Sequence, residues 1–146
     1  RVAARLAEAA AALKAAGYRL VMWDCYRPFS LQQVLWDRVR DPRYAAEPVR
    51  DRHGNPVRGS VHSRGAAVDV SLADASGAIL AMQTDHDDFT VAAHRSHRAK
   101  DKAVRARVKA LDAAMTGAGF KGIATEWWHY DAPEGKRLPL RDEPLR

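Results

Sequence analysis

Apolar residues at Val2, Leu6, Ala9, Ala10 and Leu13 recur at the spacing of one helical face, and Gly17 follows where a C-terminal cap belongs. This predicts a first helix over about residues 2–16. Tyr18–Trp23 is rich in aromatic and branched side chains and reads as a buried strand, ended by Arg27-Pro28, whose proline biases Arg27 towards extended backbone. Ser30-Leu31-Gln32-Gln33 has the capping-box pattern. Leu31, Val34, Leu35 and Val39 would then be the apolar face of a second helix that Pro42 stops.

From Asp41 to Gly59 the chain is polar, with prolines at 42, 48 and 56 and a Gly54-Asn55 pair, and reads as a long loop. Ala66, Val68, Val70 and Leu72 then alternate with Ala67, Asp69 and Ser71, which predicts a strand with one apolar face and Asp69 on the other. Ser76-Gly77 turns the chain into a second strand, Ala78–Met82, before an acidic loop at Asp85-His86-Asp87-Asp88. Val104, Val108, Leu111 and Met115 mark a helix over about 98–116, and a final strand covers about 122–130. The order predicts an α+β fold: one compact domain over residues 1–146, with a central antiparallel or mixed sheet flanked by helices.

Composition narrows the function classes. No run approaches the roughly eighteen apolar residues that a membrane span requires. The net charge is +6, but the arginines are scattered and no aromatic-basic stripe marks a nucleic-acid track, so neither membrane nor nucleic acid is an expected partner. Cys25 is the only cysteine, which excludes an internal disulfide and a multi-cysteine zinc module and fits a reducing compartment. A cytoplasmic location is expected; a secreted or periplasmic one stays open, because the sequence starts at Arg1 without an initiator Met and already inside a helical pattern.

Two segments carry chemistry: Ser60-Val61-His62-Ser63-Arg64-Gly65-Ala66-Ala67-Val68-Asp69 and Glu126-Trp127-Trp128-His129. A catalytic zinc takes three His or carboxylate ligands and keeps one position for water. His62, Asp69 and His129 would fill those places with one Zn2+ per chain, leaving Glu126 free as general base. Gly65 between His62 and Asp69 argues for a tight bend rather than a helix. In an ideal strand Glu126 and His129 would point to opposite faces, so an irregular entry near Glu126 or Trp127 is expected. Taken singly, each histidine reads as an ordinary hydrogen-bonded residue and Asp69 as a solvated one; together the two segments favour the metal.

These segments resemble the Ser-x-His-x-x-Gly-x-Ala-x-Asp and Glu-x-x-His motifs of the zinc D-Ala-D-Ala carboxypeptidase/dipeptidase family. Trp23-Asp24-x-Tyr26-Arg27-Pro28, His62-Ser63-Arg64-Gly65 and the double tryptophan before His129 make the chain similar to the VanX-like dipeptidase branch. The resemblance implies a mixed fold around one zinc and a small dipeptide, D-Ala-D-Ala or its like, as substrate. It implies that His62, Asp69 and His129 are the ligands, that Glu126 is the base, and that Arg27 steadies the tetrahedral intermediate. The alternative role for Arg27 is an ion pair with Asp24. Ser60 matches a position that hydrogen-bonds substrate, although a loop-closing serine is the default. Asp87 matches an acidic residue that receives the substrate ammonium, with Asp88 one register away and a solvated turn as the alternative.

Three departures qualify the expectation. The branch has an N-terminal segment covering the cleft that is not in this sequence, Cys25 stands where glycine is usual, and the loop from Arg27 to Ser60 is shorter. Rival readings are a D,D-carboxypeptidase or peptidoglycan endopeptidase on the same scaffold and, outside enzymes, a zinc-stabilised binding module. A role in vancomycin resistance and one in wall recycling are not distinguished. His94 and His97 share a helical spacing, but Arg95, Arg98 and Lys100 beside them oppose a second metal. His53 and His86 have no evident partners, and Trp23, Trp127 and Trp128 are read as core and pocket wall.

Overall fold

The computed structural model describes residues 1–145. Three helices, α1 (Val2–Ala15), α2 (Phe29–Val39) and α3 (Lys102–Gly117), accompany six short strands. The strands are β1 (Arg19–Asp24), β2 (Val49–Arg50), β3 (Pro56–Arg58), β4 (Ala67–Ala73), β5 (Lys121–Gly122) and β6 (His129–Asp131). Four of them form an antiparallel sheet in the order β1-β4-β6-β5, which makes this an α+β fold.

β4 is the central strand and is buried along its whole length. Its Val68, Val70 and Leu72 join Ala9 and Leu13 of α1 and Leu111 and Met115 of α3 in one apolar cluster, so both helices cover the same sheet face. Completely burying a side chain such as Leu72 or Leu111 contributes about 1.5–3 kcal/mol each. That layer holds the opposite face of β4, with Asp69 on it, in a fixed position. α3 starts at the Asp101 cap, whose carboxylate accepts from the Ala103 and Val104 amides, slightly later than periodicity predicted.

Four local expectations are corrected. Ser30 does not cap α2: the cap position falls two residues earlier, at Pro28, and the Ser30 amide donates to the Asp142 carboxylate at 2.7 Å. The helix buries Phe29 and Gln32 while Leu31 and Val34 stay exposed, so its inner face is not the apolar stripe that spacing suggested. The long loop contains the β2-β3 hairpin, closed by the Asp51 side chain accepting from the His53 and Asn55 amides. The expected strand at Ala78–Met82 shrinks to one bridge, Ala73 to Ile79, because pairing ends after the Leu80 amide reaches the Leu72 carbonyl.

Candidate metal centre

Register places the site. Asp69 of β4 pairs with Asp24 of β1 on one side and with His129 of β6 on the other, so these three residues form one row across the sheet. An irregularity between Met22 and Asp24 lets Asp24 fall into that row. His62 arrives from the 3-10 turn His62–Arg64 just before β4, and Gly65 ends that turn in the left-handed region at φ 63°. A side chain at this φ is strained, so glycine permits the reversal that returns the chain into β4. The single strand expected over about 122–130 is instead two, because the chain reverses: β5 and β6 pair antiparallel, and the irregular residues 123–128 that join them bring Glu126 beside His129.

His62 Nε2 lies 3.1 Å from His129 Nδ1, and Asp69 Oδ1 lies 3.1 Å from His129 Nδ1 and 3.4 Å from His62 Nε2. All three residues are buried. The outer nitrogens are already committed. His62 Nδ1 donates to the Cys25 carbonyl at 2.8 Å, and His129 Nε2 faces Asp131 Oδ1 at 2.9 Å. With both rings neutral, two lone pairs and a carboxylate oxygen converge with no proton among them, which is a donor set for a cation. The spacings suit zinc, whose bonds of about 2.0–2.1 Å put tetrahedral ligand atoms about 3.3–3.4 Å apart. His62, Asp69 and His129 therefore form a candidate metal-binding group.

The electrostatics fit this arrangement. Burial would raise the Asp69 carboxyl, but the adjacent imidazoles of His129, His62 and His86 outweigh it and hold the group well below the usual carboxylate range. Burial would lower His129, yet Asp131 and Asp69 raise it to about 9, so in the absence of a cation a proton takes the central position. Glu126 is pushed up to about 7, first by burial and then by the charges of Asp69 and Asp87, against the attraction of His129 and Arg27. Its Oε2 is 3.9 Å from His129 Nδ1.

Arg27 donates from Nε and Nη2 to Asp24 at 2.8 and 2.5 Å and from Nη1 to Gln32 at 2.8 Å, while Nη2 stands 3.9 Å from Asp69 Oδ2. The ion pair with Asp24 thus exists and aims the guanidinium at the site. The Ser60 hydroxyl accepts from the His62 amide at 3.2 Å, which is the loop-closing role, and it also borders the cavity. Asp87 sits in the left-handed region at φ 59° and lines the same cavity, which Asp88 does not. All seven expected site residues, Arg27, Ser60, His62, Asp69, Asp87, Glu126 and His129, border one cavity of about 230 Å³. Tyr44 and Phe89, stacked at 5.1 Å, contribute an apolar part of its wall.

Three contributors escaped sequence reasoning. Asp131 could have been found, since positions 129 and 131 share a strand face. Gln32 is completely buried and joins Arg27 to the Ala46 carbonyl, but in the sequence it was an unassigned polar position of the second helix. His86, which had no evident partner in the sequence, puts Nε2 3.5 Å from Asp69 Oδ2, with its ring 4.7 Å from Trp23 and 5.4 Å from Trp128. Trp127 and Trp128 are buried in the core. Among the described residues no helix is long and apolar enough to cross a membrane.

Comparison with known proteins identifies the family. A family model described as D-ala-D-ala dipeptidase matches residues 1–143. A D-alanyl-D-alanine dipeptidase of Escherichia coli K12 is 36% identical over 135 residues, covering 92% of this chain and 66% of the relative. Proteins of the same name from Streptomyces coelicolor and Enterococcus faecalis are 32% and 29% identical, covering 81% and 88% of this chain and 64% and 69% of their own lengths. The chain spans about two thirds of the length of the curated relatives it matches. With the match extending over nearly every residue, the chain belongs to the D-Ala-D-Ala dipeptidase family of peptidases.

Proposed function

We propose that this chain is a zinc peptidase that hydrolyses D-Ala-D-Ala or a similarly small dipeptide. The observation that carries the reading is the convergence of His62 Nε2, His129 Nδ1 and Asp69 Oδ1 within 3.4 Å of one another, with the carboxylate of Glu126 beside them. Zinc held by these residues would supply Lewis acidity towards the scissile carbonyl and a nucleophilic water near neutral pH.

The remaining work falls to side chains. Glu126 accepts the proton of the attacking water and returns it to the leaving amine, a task suited to a carboxyl whose pKa is pushed up to about 7. Arg27, held in place by Asp24 and Gln32, faces the charge that develops on the carbonyl oxygen. Asp87 receives the substrate ammonium at the rim, and Ser60 hydrogen-bonds substrate from the wall. A cavity of about 230 Å³ is small beside the roughly 300–1,000 Å³ of pockets for drug-sized molecules, which favours a free dipeptide over a long chain.

A panel of dipeptides and one longer muropeptide, assayed with and without a chelator, tests the reading. Chelator-sensitive cleavage of D-Ala-D-Ala, lost in Glu126→Ala while metal is retained, is expected. Full turnover by that variant would remove Glu126 as the base.

A further inference from the structure

The segment that carries Glu126 and His129 has little structure of its own. β5 has two residues and β6 three, and residues 123–128 between them lie outside any strand. Backbone this irregular leaves carbonyls that need partners when buried. One side chain supplies several of them. Arg95 Nε donates to the Ile123 carbonyl at 2.8 Å, and Nη2 donates to the Trp127 and His129 carbonyls at 3.1 and 2.8 Å. Its own amide donates to the Ala124 carbonyl at 3.0 Å.

The other end of the guanidinium is anchored as firmly. Nη1 reaches Asp112 of α3 at 2.6 Å and the Tyr130 hydroxyl at 3.1 Å, and the guanidinium carbon lies 4.2 Å from the Tyr130 ring centre. The five N–H donors of the fork therefore meet five acceptors, three of them carbonyls of the segment around Glu126. The plane also packs closely on Gly122, where a Cβ would collide with it. Arg95 does not border the active-site cavity; it borders a separate one of about 260 Å³ on its other side, with Gln83, Arg98 and Asp112.

We propose that Arg95 is the positioning residue of this site: its guanidinium fixes the backbone on both sides of Glu126 and at His129, and so sets both side chains against Asp69. It touches no substrate and acts through the loop. The proposal rests on reading His129 as a ligand and Glu126 as the base. A lysine cannot replace the planar fork, because an ammonium offers a point charge on a flexible stem.

The test compares wild type, Arg95→Lys, Arg95→Ala and, as a control for general destabilisation, Arg5→Ala, whose guanidinium bonds the Ala118 carbonyl outside the site. Four quantities are read: melting temperature, Co2+ affinity by competition with a chromogenic chelator, the cobalt absorption band, and kcat and KM on D-Ala-D-Ala. All are measured with and without guanidinium at a sub-denaturing concentration.

Both Arg95 variants are expected to bind Co2+ at least about tenfold more weakly with an altered band. Their kcat should fall at least about tenfold while KM stays within about threefold. Added guanidinium should restore part of the cobalt affinity in Arg95→Ala, through the space left beside the outer cavity, and none in Arg95→Lys. Arg5→Ala should lower the melting temperature and leave the cobalt band unchanged. A folded Arg95 variant with wild-type cobalt affinity and band would overturn the proposal, as would unfolding of both variants without recovery in guanidinium. If the wild type cleaves no dipeptide, the functional reading fails, and the cobalt measurements still judge Arg95.

Discussion

Asp131 Oδ1 lies 2.9 Å from Nε2 of His129, while Asp69 meets the other ring nitrogen at 3.1 Å. A carboxylate behind a ligating histidine fixes the tautomer, orients the ring and raises its basicity. β6 produces this pairing at no cost in topology, since residues two apart in a strand share a face.

Asp131→Asn should therefore weaken metal binding about ten- to a hundredfold with little effect on folding. Isothermal titration or chelator competition measures it. An affinity within about threefold of wild type would show that Asp131 does not orient the ring.

Legibility in the sequence followed the reach of each interaction. The convergence of the candidate metal group was readable because His62, Asp69, Glu126 and His129 lie in two compact segments whose residue types suggest a site when taken together. β4 was readable because alternation is a local signal. The β2-β3 hairpin was hidden by prolines and charges, and the strand expected at Ala78–Met82 depended on how far pairing to β4 continued, which no local pattern records. Arg95 read as one basic residue among several near two histidines, yet it lies folded against carbonyls about thirty residues away in sequence. Gln32 was passed over for the same reason: its burial on α2 follows from its bonds to Arg27 and the Ala46 carbonyl, not from the helix's own periodicity.

Without metal, the cluster should make stability fall as pH rises. His129 is raised from 6.5 to about 9 and Glu126 from 4.5 to about 7, so the folded chain binds more protons than the unfolded one across those intervals. The Glu126 contribution is complete below about 4.5 and lost through about 7; that of His129 is complete below about 6.5 and lost through about 9. Asp69 has the opposite sign, but its effect is confined to acid below the ordinary carboxylate range. Scanning fluorimetry of the metal-free protein should show a melting temperature that declines from about pH 5 to about pH 9. Added zinc should raise it more at the alkaline end, because metal and proton compete for the same nitrogen. A melting temperature that climbs over this interval would contradict the pairing described for His129.

Arg27→Lys tests the oxyanion role. The fork is held by Asp24 through two nitrogens and by Gln32 through the third, which a lysine cannot reproduce. A loss of about 10²–10³ in kcat, with metal affinity nearly unchanged, is expected. Equal losses in kcat and in metal content would instead mean that Arg27 serves to hold Asp69, whose Oδ2 is 3.9 Å away.

His86 approaches Asp69 at the carboxylate oxygen that the other two histidines do not contact. Its Nε2 is 3.5 Å from Asp69 Oδ2 and 3.5 Å from Asp87 Oδ1, and its ring packs between Trp23 and Trp128. Burial would keep this imidazole neutral, but the neighbouring carboxylates of Asp69 and Asp87 raise its pKa above the ordinary value. His86→Phe preserves the aromatic packing and removes the polar contact, whereas His86→Ala removes both. If the contact with Asp69 matters, both variants should bind metal several-fold more weakly, and the alanine variant alone should also lose stability, by about 1–3 kcal/mol. Denaturant titration together with metal competition separates the two effects. Should the phenylalanine variant match wild type in both measurements, His86 is a packing residue and Asp69 Oδ2 relies on Arg27.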